Sequence, residues 1–587
     1  MKIILFNSPG GSHYEGPMMG NPALKGQLKM KGFTDTLQRD LDLELFYECL
    51  DPTFRERVRG IIGKDFDPAQ AEISRIKKLF VRFFGGLSLR MFDFLALRER
   101  KFIEKFRRAT PIDRQFPEEG LIRYKKAINR ILKLMAVYLF PHVSYPRFFS
   151  TREKQFFHRY LIGVGSTLHK ACGHGTKALE LFYERRVIPY LKEQDCDVVG
   201  ISISFKRQLE PALLLADTIK RSGLKARIVL GGSFITTTVD SGWTDESYFR
   251  SADYLLIYEG EEAFPALLEC IRSGRGIDDV PNLVRIRDGE VVRNQRATIK
   301  DMDSLATPDY GGLPLDDYLE RPVRLPLMTC RGCYWGRCTY CSHHWTLGSG
   351  RLRIRSPEKL IEDIRTFQAN YGARSLYFTD ESVHPPTIKD FATRVVEAGL
   401  DLRWVAMLRF EDSVDFEFLK LMRDSGCHAL LFGLESLSEH VQKIINKGIR
   451  LERAYRIMED CRKLGIKVHV FIIVGIPGER EEDIRENIDF LLGHTELYET
   501  VQLAKFQLMV GSPMYRHPEK FGIRNVKAVS EGGRKAYSEV TFDTESGLDP
   551  SDADRYFREL TAHKVIFKKD LWEGYGFRIY REEACPS

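Results

Sequence analysis

The segment Arg331–Cys341, RGCYWGRCTYC, places Cys333, Cys338 and Cys341 within nine residues, with Cys330 just ahead of them. Thiolates crowded on one short loop suit zinc or an iron–sulfur cluster. A structural zinc ion takes four protein ligands, and Cys330, His343 or His344 could complete such a set. Three thiolates alone would leave one metal position open. On the loop by itself both readings stand. The other seven of the eleven cysteines, Cys49, Cys172, Cys196, Cys270, Cys427, Cys461 and Cys585, are scattered and read as small buried side chains.

The elements that must position this loop follow from periodicity. RLPLMT ahead of it reads as a strand, and SLYFTD, LRWVAM, HALLFGLE, KVHVFIIVG and VQLAKFQLMV follow as further strands. Helices from Pro357, Thr387 and Val414, a pair over Glu439–Lys463 and another from Glu481 separate them. Six strand–helix units close naturally as a partial parallel barrel, whose chemistry belongs at the C-terminal ends of its strands. The cysteine loop sits at such an end. So do FTDES, with Asp380 and Glu381, then Arg409, then GLES, with Glu435 and Ser436, and VGIPGE, with Gly475 and Pro477. An acidic residue there can equally cap the next helix, and Gly-Ile-Pro-Gly can equally be a turn. Lys447-Gly448 reads as a helix end without chemistry.

The N-terminal half holds a second α/β pattern. KIILFNS reads as a strand, Leu24–Leu37 as a helix and LELFYECL as a second strand. After a break, DVVGISISF, ARIVLGG and DYLLIYEGEEAF are buried parallel strands separated by helices, giving a five-stranded doubly wound sheet. Residues of about 53–192 form a helical insertion. Residues 51–150, which overlap it, carry 22 Lys and Arg against 11 Asp and Glu, a local excess in a chain whose net charge is +7. Such a surface suits an anionic partner or a solvated helical face. It lacks an aromatic-interleaved basic motif, so nucleic acid is not expected. PNLVRIRDGEVVRN reads as a hairpin turning at Asp288-Gly289, inside a linker of residues 281–322. The division is thus 1–280 for the sheet domain, 323–515 for the barrel and 516–587 for a small C-terminal region without an assigned role.

At 587 residues, 43% hydrophobic and 29% charged, the chain is long enough for two or three cores. No apolar run is long enough to span a bilayer. MKIILFNSPGG lacks the apolar length of a secretion signal, so a cytoplasmic location with reduced thiols is expected.

Taken in order, the cysteine loop and the strand-end motifs resemble the radical S-adenosylmethionine (SAM) enzymes. The order of sheet, linker and barrel resembles their cobalamin-binding subgroup over most of residues 1–515. The resemblance implies that Cys333, Cys338 and Cys341 hold a 4Fe-4S cluster whose open iron chelates SAM. In CTYC it places Tyr340 near the adenine. It implies SAM contacts from Asp380, Glu381, Arg409, Glu435, Ser436, Gly475 and Pro477. Cobalamin contacts would come from Ser204, Gln208, Gly231, Gly232, Glu259 and Gly260. The spacing departs from the family's common three residues then two, being four then two, a difference that a turn at Gly336 can absorb. The cobalt-ligating Asp-x-His-x-x-G motif is absent after the first strand; His169 and His174 lie in the insertion.

The implied activity is methyl transfer to an unactivated carbon, using a 5′-deoxyadenosyl radical and methylcobalamin. It needs a small-molecule or peptide substrate and an electron donor such as a flavodoxin or ferredoxin. A radical rearrangement, cyclisation or oxidation without methyl transfer is the enzymatic alternative. A non-catalytic zinc-containing binding protein is the other.

Overall fold

The computed structural model describes residues 1–10, 16–48, 51, 53–54, 57, 173–242, 246–318, 322–346, 349–531 and 534–562. Most of the basic insertion, His169 and the last 25 residues lie outside the described residues.

The N-terminal sheet has seven strands in the order β2-β1-β3-β4-β5-β6-β7. Its parallel part comprises β1 (Ile3–Asn7), β2 (Thr36–Asp40), β3 (Val198–Ser202), β4 (Arg227–Gly231) and β5 (Tyr254–Leu256). All five residues of β1 are buried, as expected of a central parallel strand covered on both faces.

The helix expected over Leu24–Leu37 is Gly20–Met30 and ends early, because Thr36–Asp40 is itself a strand. The described part of LELFYECL, up to Glu48, is not a strand. Leu41–Glu48 is a helix, and Asp40 starts it by accepting the backbone N–H groups of Asp42 and Leu43 at 3.1 and 3.3 Å. The second strand is instead TLQRD, whose inward positions Thr36, Gln38 and Asp40 are polar but bonded. Tyr318 donates to Asp40 at 2.8 Å, and Gln38 donates to the carbonyls of Asp309 and Gly311. A hydrophobic pattern could not reveal such a strand.

The segment 281–322 is likewise no free linker. Its hairpin, β6 (Leu283–Arg287) and β7 (Glu290–Arg293), extends the sheet antiparallel to β5, with Asp288 and Gly289 at positive φ in the turn. Tyr310 and Tyr318 beyond it are fully buried.

The second sheet matches the expected six parallel strands: β8 (Leu325–Leu327), β11 (Ser375–Phe378), β12 (Arg403–Leu408), β13 (Cys427–Glu435), β14 (Lys467–Val474) and β15 (Thr500–Lys505), side by side in chain order. Alternation sorts their side chains. Leu376, Trp404, Leu430, Phe432, Val468, Val470 and Ile472 join the helix-covered core, while Val405, Ala429 and Leu431 with Tyr377, Met407 and Phe471 form a separate cluster.

The C-terminal region gains a role. The helix Pro550–Ala562 packs on β14 and β15, with Tyr556 and Leu560 in the barrel core. It supplies the sixth helix of the barrel, beyond the expected boundary at 515. The hairpin β16 (Ile523–Glu531) and β17 (Arg534–Thr544) precedes it and reaches the helix Ser233–Asp240 of the N-terminal domain. Among the described residues no helix is long and apolar enough to cross a membrane.

Candidate functional site

Beyond β8 the chain forms β9 (Cys330–Arg331), which pairs antiparallel with β10 (Arg353–Ile354) and closes the cysteine loop at its base. Cys330 is 3% exposed, and its thiol faces the carbonyls of Gly332 and Ser382 at 3.8 and 3.9 Å. It belongs to the core. Cys333, Cys338 and Cys341 are unpaired and only partly buried. Burial, then the nearby Cys338, Glu381 and Cys333, push the Cys341 thiol up to about 12. Burial also raises Cys338, against the opposing pull of Lys447 and Arg409. Positive charge beside Cys338 and Cys341, such as bound iron provides, would favour their thiolates. Among the described residues no three metal-ligating side chains converge as a single-ion site. Three thiols on one short loop are a donor set that suits an iron–sulfur cluster.

Gly336 lies at φ +61, and a Cβ there would come within 2.9 Å of the His344 ring. His344 Nδ1 is 2.9 Å from the Cys333 carbonyl oxygen. The tip of the loop rests on the end of the helix Glu439–Ile445. Thr339 donates to the carbonyls of Ile444 and Ile445, and Trp335 Nε1 donates to that of Asn446 at 2.9 Å. These are carbonyls that a helix end leaves unsatisfied.

Behind the loop lies a charged cluster. Tyr340 donates to Glu435 Oε1 at 3.0 Å, and Lys447 Nζ donates to the same oxygen at 2.5 Å and to the Tyr340 hydroxyl at 3.3 Å. Glu435 has φ +64 at a register shift between β13 and β14. A bulge of this kind re-aims a side chain, and Gly433 leaves the room, since a Cβ there would lie 2.3 Å from Lys447 Nζ. Arg409 is 5% exposed, donates to Glu411 and to the Lys447 carbonyl, and lies 4.5 Å from the Trp335 ring centre. Lys447 is the residue that sequence reasoning missed. It follows an ordinary left-handed helix cap at Asn446, and nothing in the local pattern marks it.

Other expected residues have different partners. Asp380 is buried, and its carboxylate accepts the N–H of Thr329, its hydroxyl and the N–H of Cys330. It anchors the start of the cysteine loop, mostly through Oδ1. Glu381 is 40% exposed, 3.4 Å from His343 Nδ1. Ser436 is fully buried and bonds to Asn487 and to the Ser438 N–H. Gly475, at φ +86, donates to Glu479 at 2.5 Å, and Pro477 is buried in the same turn.

At the C-terminal edge of the N-terminal sheet, Gln208 is fully buried. Its amide donates to Asn7 and Ser8 and accepts the N–H groups of Ser204 and Phe205. It fixes the loops at this edge. Gly232, at φ +106, would clash through a Cβ with the Ile203 carbonyl at 2.4 Å, so its glycine serves packing. Glu259 is committed to Arg331 and Arg353, and Gly260 lies against Leu24. Gly231 and Ser204 are half-buried at this edge, and Phe205 is 41% exposed.

A six-stranded parallel barrel with a three-cysteine loop after its first strand defines a radical SAM domain, and residues 327–491 match the radical SAM superfamily. The chain is 29% identical over 406 residues to an uncharacterized methyltransferase of Pyrococcus horikoshii, covering 67% of this chain and 84% of that one. Its fold is similar to the methyltransferase TsrM from Kitasatospora setae, solved with tryptophan and a SAM analog. The TM-score is 0.51 at 18% identity, over 64% of this chain and 81% of TsrM. OxsB, solved with aqua-cobalamin and SAM, gives a TM-score of 0.51 at 18% identity, over 64% of this chain and 59% of OxsB. The chain thus carries a radical SAM match over residues 327–491 and shares the overall fold of these two structures.

Proposed function

We propose that the protein is a cobalamin-dependent radical SAM methyltransferase acting on an unactivated carbon. The observation that carries this is the partly exposed trio Cys333, Cys338 and Cys341 at the C-terminal face of a six-stranded barrel joined to a second doubly wound sheet. The relative named as a methyltransferase, matched over most of its length, favours methyl transfer over the other radical chemistries.

The trio would hold a 4Fe-4S cluster, and the sheet edge at Ser204, Phe205 and Gly231 would hold cobalamin. When bound, these groups supply one-electron cleavage of SAM and a methyl carrier. The chain's own residues bind and orient. Tyr340, Glu435 and Lys447 form a polar wall beside the loop, with Tyr340 and Lys447 both donating to one Glu435 oxygen. Arg409 adds a cation on that side. The partly buried Tyr377, Met407 and Phe471 and the buried Leu431 line the barrel and keep water from a reactive species. An electron donor of the flavodoxin or ferredoxin kind and a small-molecule or peptide substrate complete the system, in the cytoplasm.

Anaerobic reconstitution tests this. About four irons and four sulfides per chain, with S-adenosylhomocysteine formed alongside 5′-deoxyadenosine, are the expected result. One zinc without sulfide overturns the enzyme reading. Formation of 5′-deoxyadenosine with substrate consumed and no S-adenosylhomocysteine overturns methyl transfer alone.

A further inference from the structure

The two-residue ladder that closes the cysteine loop sets Arg331 directly opposite Arg353. Like charges facing each other across an antiparallel pair repel. Here the side chains are only 13% and 8% exposed, so water screens them little. The compensation comes from the other domain. Glu259 Oε1 lies 3.0 Å from Arg331 Nη1 and 2.5 Å from Arg353 Nη1, and Glu261 is paired with Arg331. Both carboxylates lie at the start of the helix Gly260–Ser273, where negative charge also meets the positive end of the helix dipole. Glu259 additionally accepts the N–H of Ile299, and Arg353 donates to the Ile299 carbonyl, each at 2.6 Å. Arg353 Nε and Nη2 are buried without a hydrogen-bond partner, so this side chain depends on Glu259 and the one carbonyl.

We propose that the N-terminal sheet holds the cysteine loop closed through this buried quartet, with Arg331 as a positioning residue for the three metal-binding thiols. The inference rests on the cluster reading for its function, though not for its geometry. Two residues of ladder are too few to resist the facing arginines. With the carboxylates docked, the base of the loop is fixed two residues ahead of Cys333. Without them the loop opens. Docking of the two domains thus becomes a condition for a preformed cluster site.

Hydrogen exchange of the full-length, metal-free protein tests this without any cofactor. In the double variant Glu259→Gln/Glu261→Gln, peptides covering residues 332–346 should exchange at least tenfold faster, while those of β13 and β14 keep wild-type rates. Adding Arg353→Met removes the facing charge and should restore protection of the loop. The proposal is overturned if the double variant exchanges like the wild type in 332–346, if β13 and β14 accelerate equally, or if Arg353→Met gives no recovery. Iron and sulfide bound after reconstitution are measured on the same proteins. A wild type that binds neither refutes the cluster reading, while the exchange result still judges the clamp.

Discussion

Glu479 ends the turn after β14 with no exposed surface at all. One carboxyl oxygen accepts the N–H groups of Gly475 and Ile476 at 2.5 and 3.2 Å, while the other, Oε1, is buried without a hydrogen-bond partner. Burial pushes the group up to about 8 from an ordinary 4.5, against the pull of the two N–H donors. Because the folded state holds this proton more tightly than the unfolded chain, the stabilisation is complete below pH 4.5 and is lost as pH rises through 8. The gap corresponds to about 3–5 kcal/mol, or on the order of 10 °C in melting temperature for a domain of this size. Glutamine keeps the acceptor oxygen and the shape but has no proton to lose. Thermal unfolding of the metal-free protein at pH 5.5 and 8.5 should therefore show a fall in the wild type that is several degrees larger than in Glu479→Gln. The variant should be the more stable protein at pH 8.5. If both lose the same amount between the two pH values, Glu479 is ionised in the fold and the reasoning fails.

Cys333→Ala should abolish cluster assembly as read by bound iron, while Cys330→Ala should retain it and lower stability only, since its thiol lies in the core. Lys447→Met leaves Glu435 buried without its cation and should cost about 3–5 kcal/mol in urea unfolding; combining it with Glu435→Gln should recover most of the loss. Gly448→Ala forces an alanine to φ +71 with its Cβ 2.4 Å from the Trp335 ring. It should cost about 2 kcal/mol or more, and adding Trp335→Ala should relieve the clash, leaving only the backbone part.

Both architectures were legible in the sequence wherever burial imposes a simple pattern. The runs IILFN, VVGIS and RIVLG are buried almost throughout, and FIIV in β14 alternates between core and lumen; each was found as a strand. TLQRD was not, because its buried residues are polar and satisfied by a segment some 270 positions away, as in the bond from Gln38 to Asp309. The same limit governs the site. Types and spacing identify three thiols, and strand ends identify Asp380, Arg409 and Glu435, but not what each carboxylate meets. Asp380 meets backbone N–H groups, Glu259 meets two arginines and Glu435 meets Lys447. The partners of Asp380 and Glu259 lie some 50 or more positions away, and the 12-residue step from Glu435 to Lys447 crosses a helix whose end carries no local mark.

The four-residue gap between Cys333 and Cys338 was the feature that fitted the family least, and its length has a physical use. Trp335 and Gly336 carry the loop outward until the indole lies over Gly448 and donates to Asn446, while Asn446 donates back to the Arg337 carbonyl at 3.2 Å. Between those two anchors sits Lys447, held on Glu435 and Tyr340. The loop therefore fixes the turn that presents the lysine, and the lysine in turn fixes the tyrosine of CTYC. A shorter gap would lack a residue with which to reach that turn, leaving the helix carbonyl of Asn446 without its donor. The departure in spacing and the residue missed from the sequence are thus two ends of one contact.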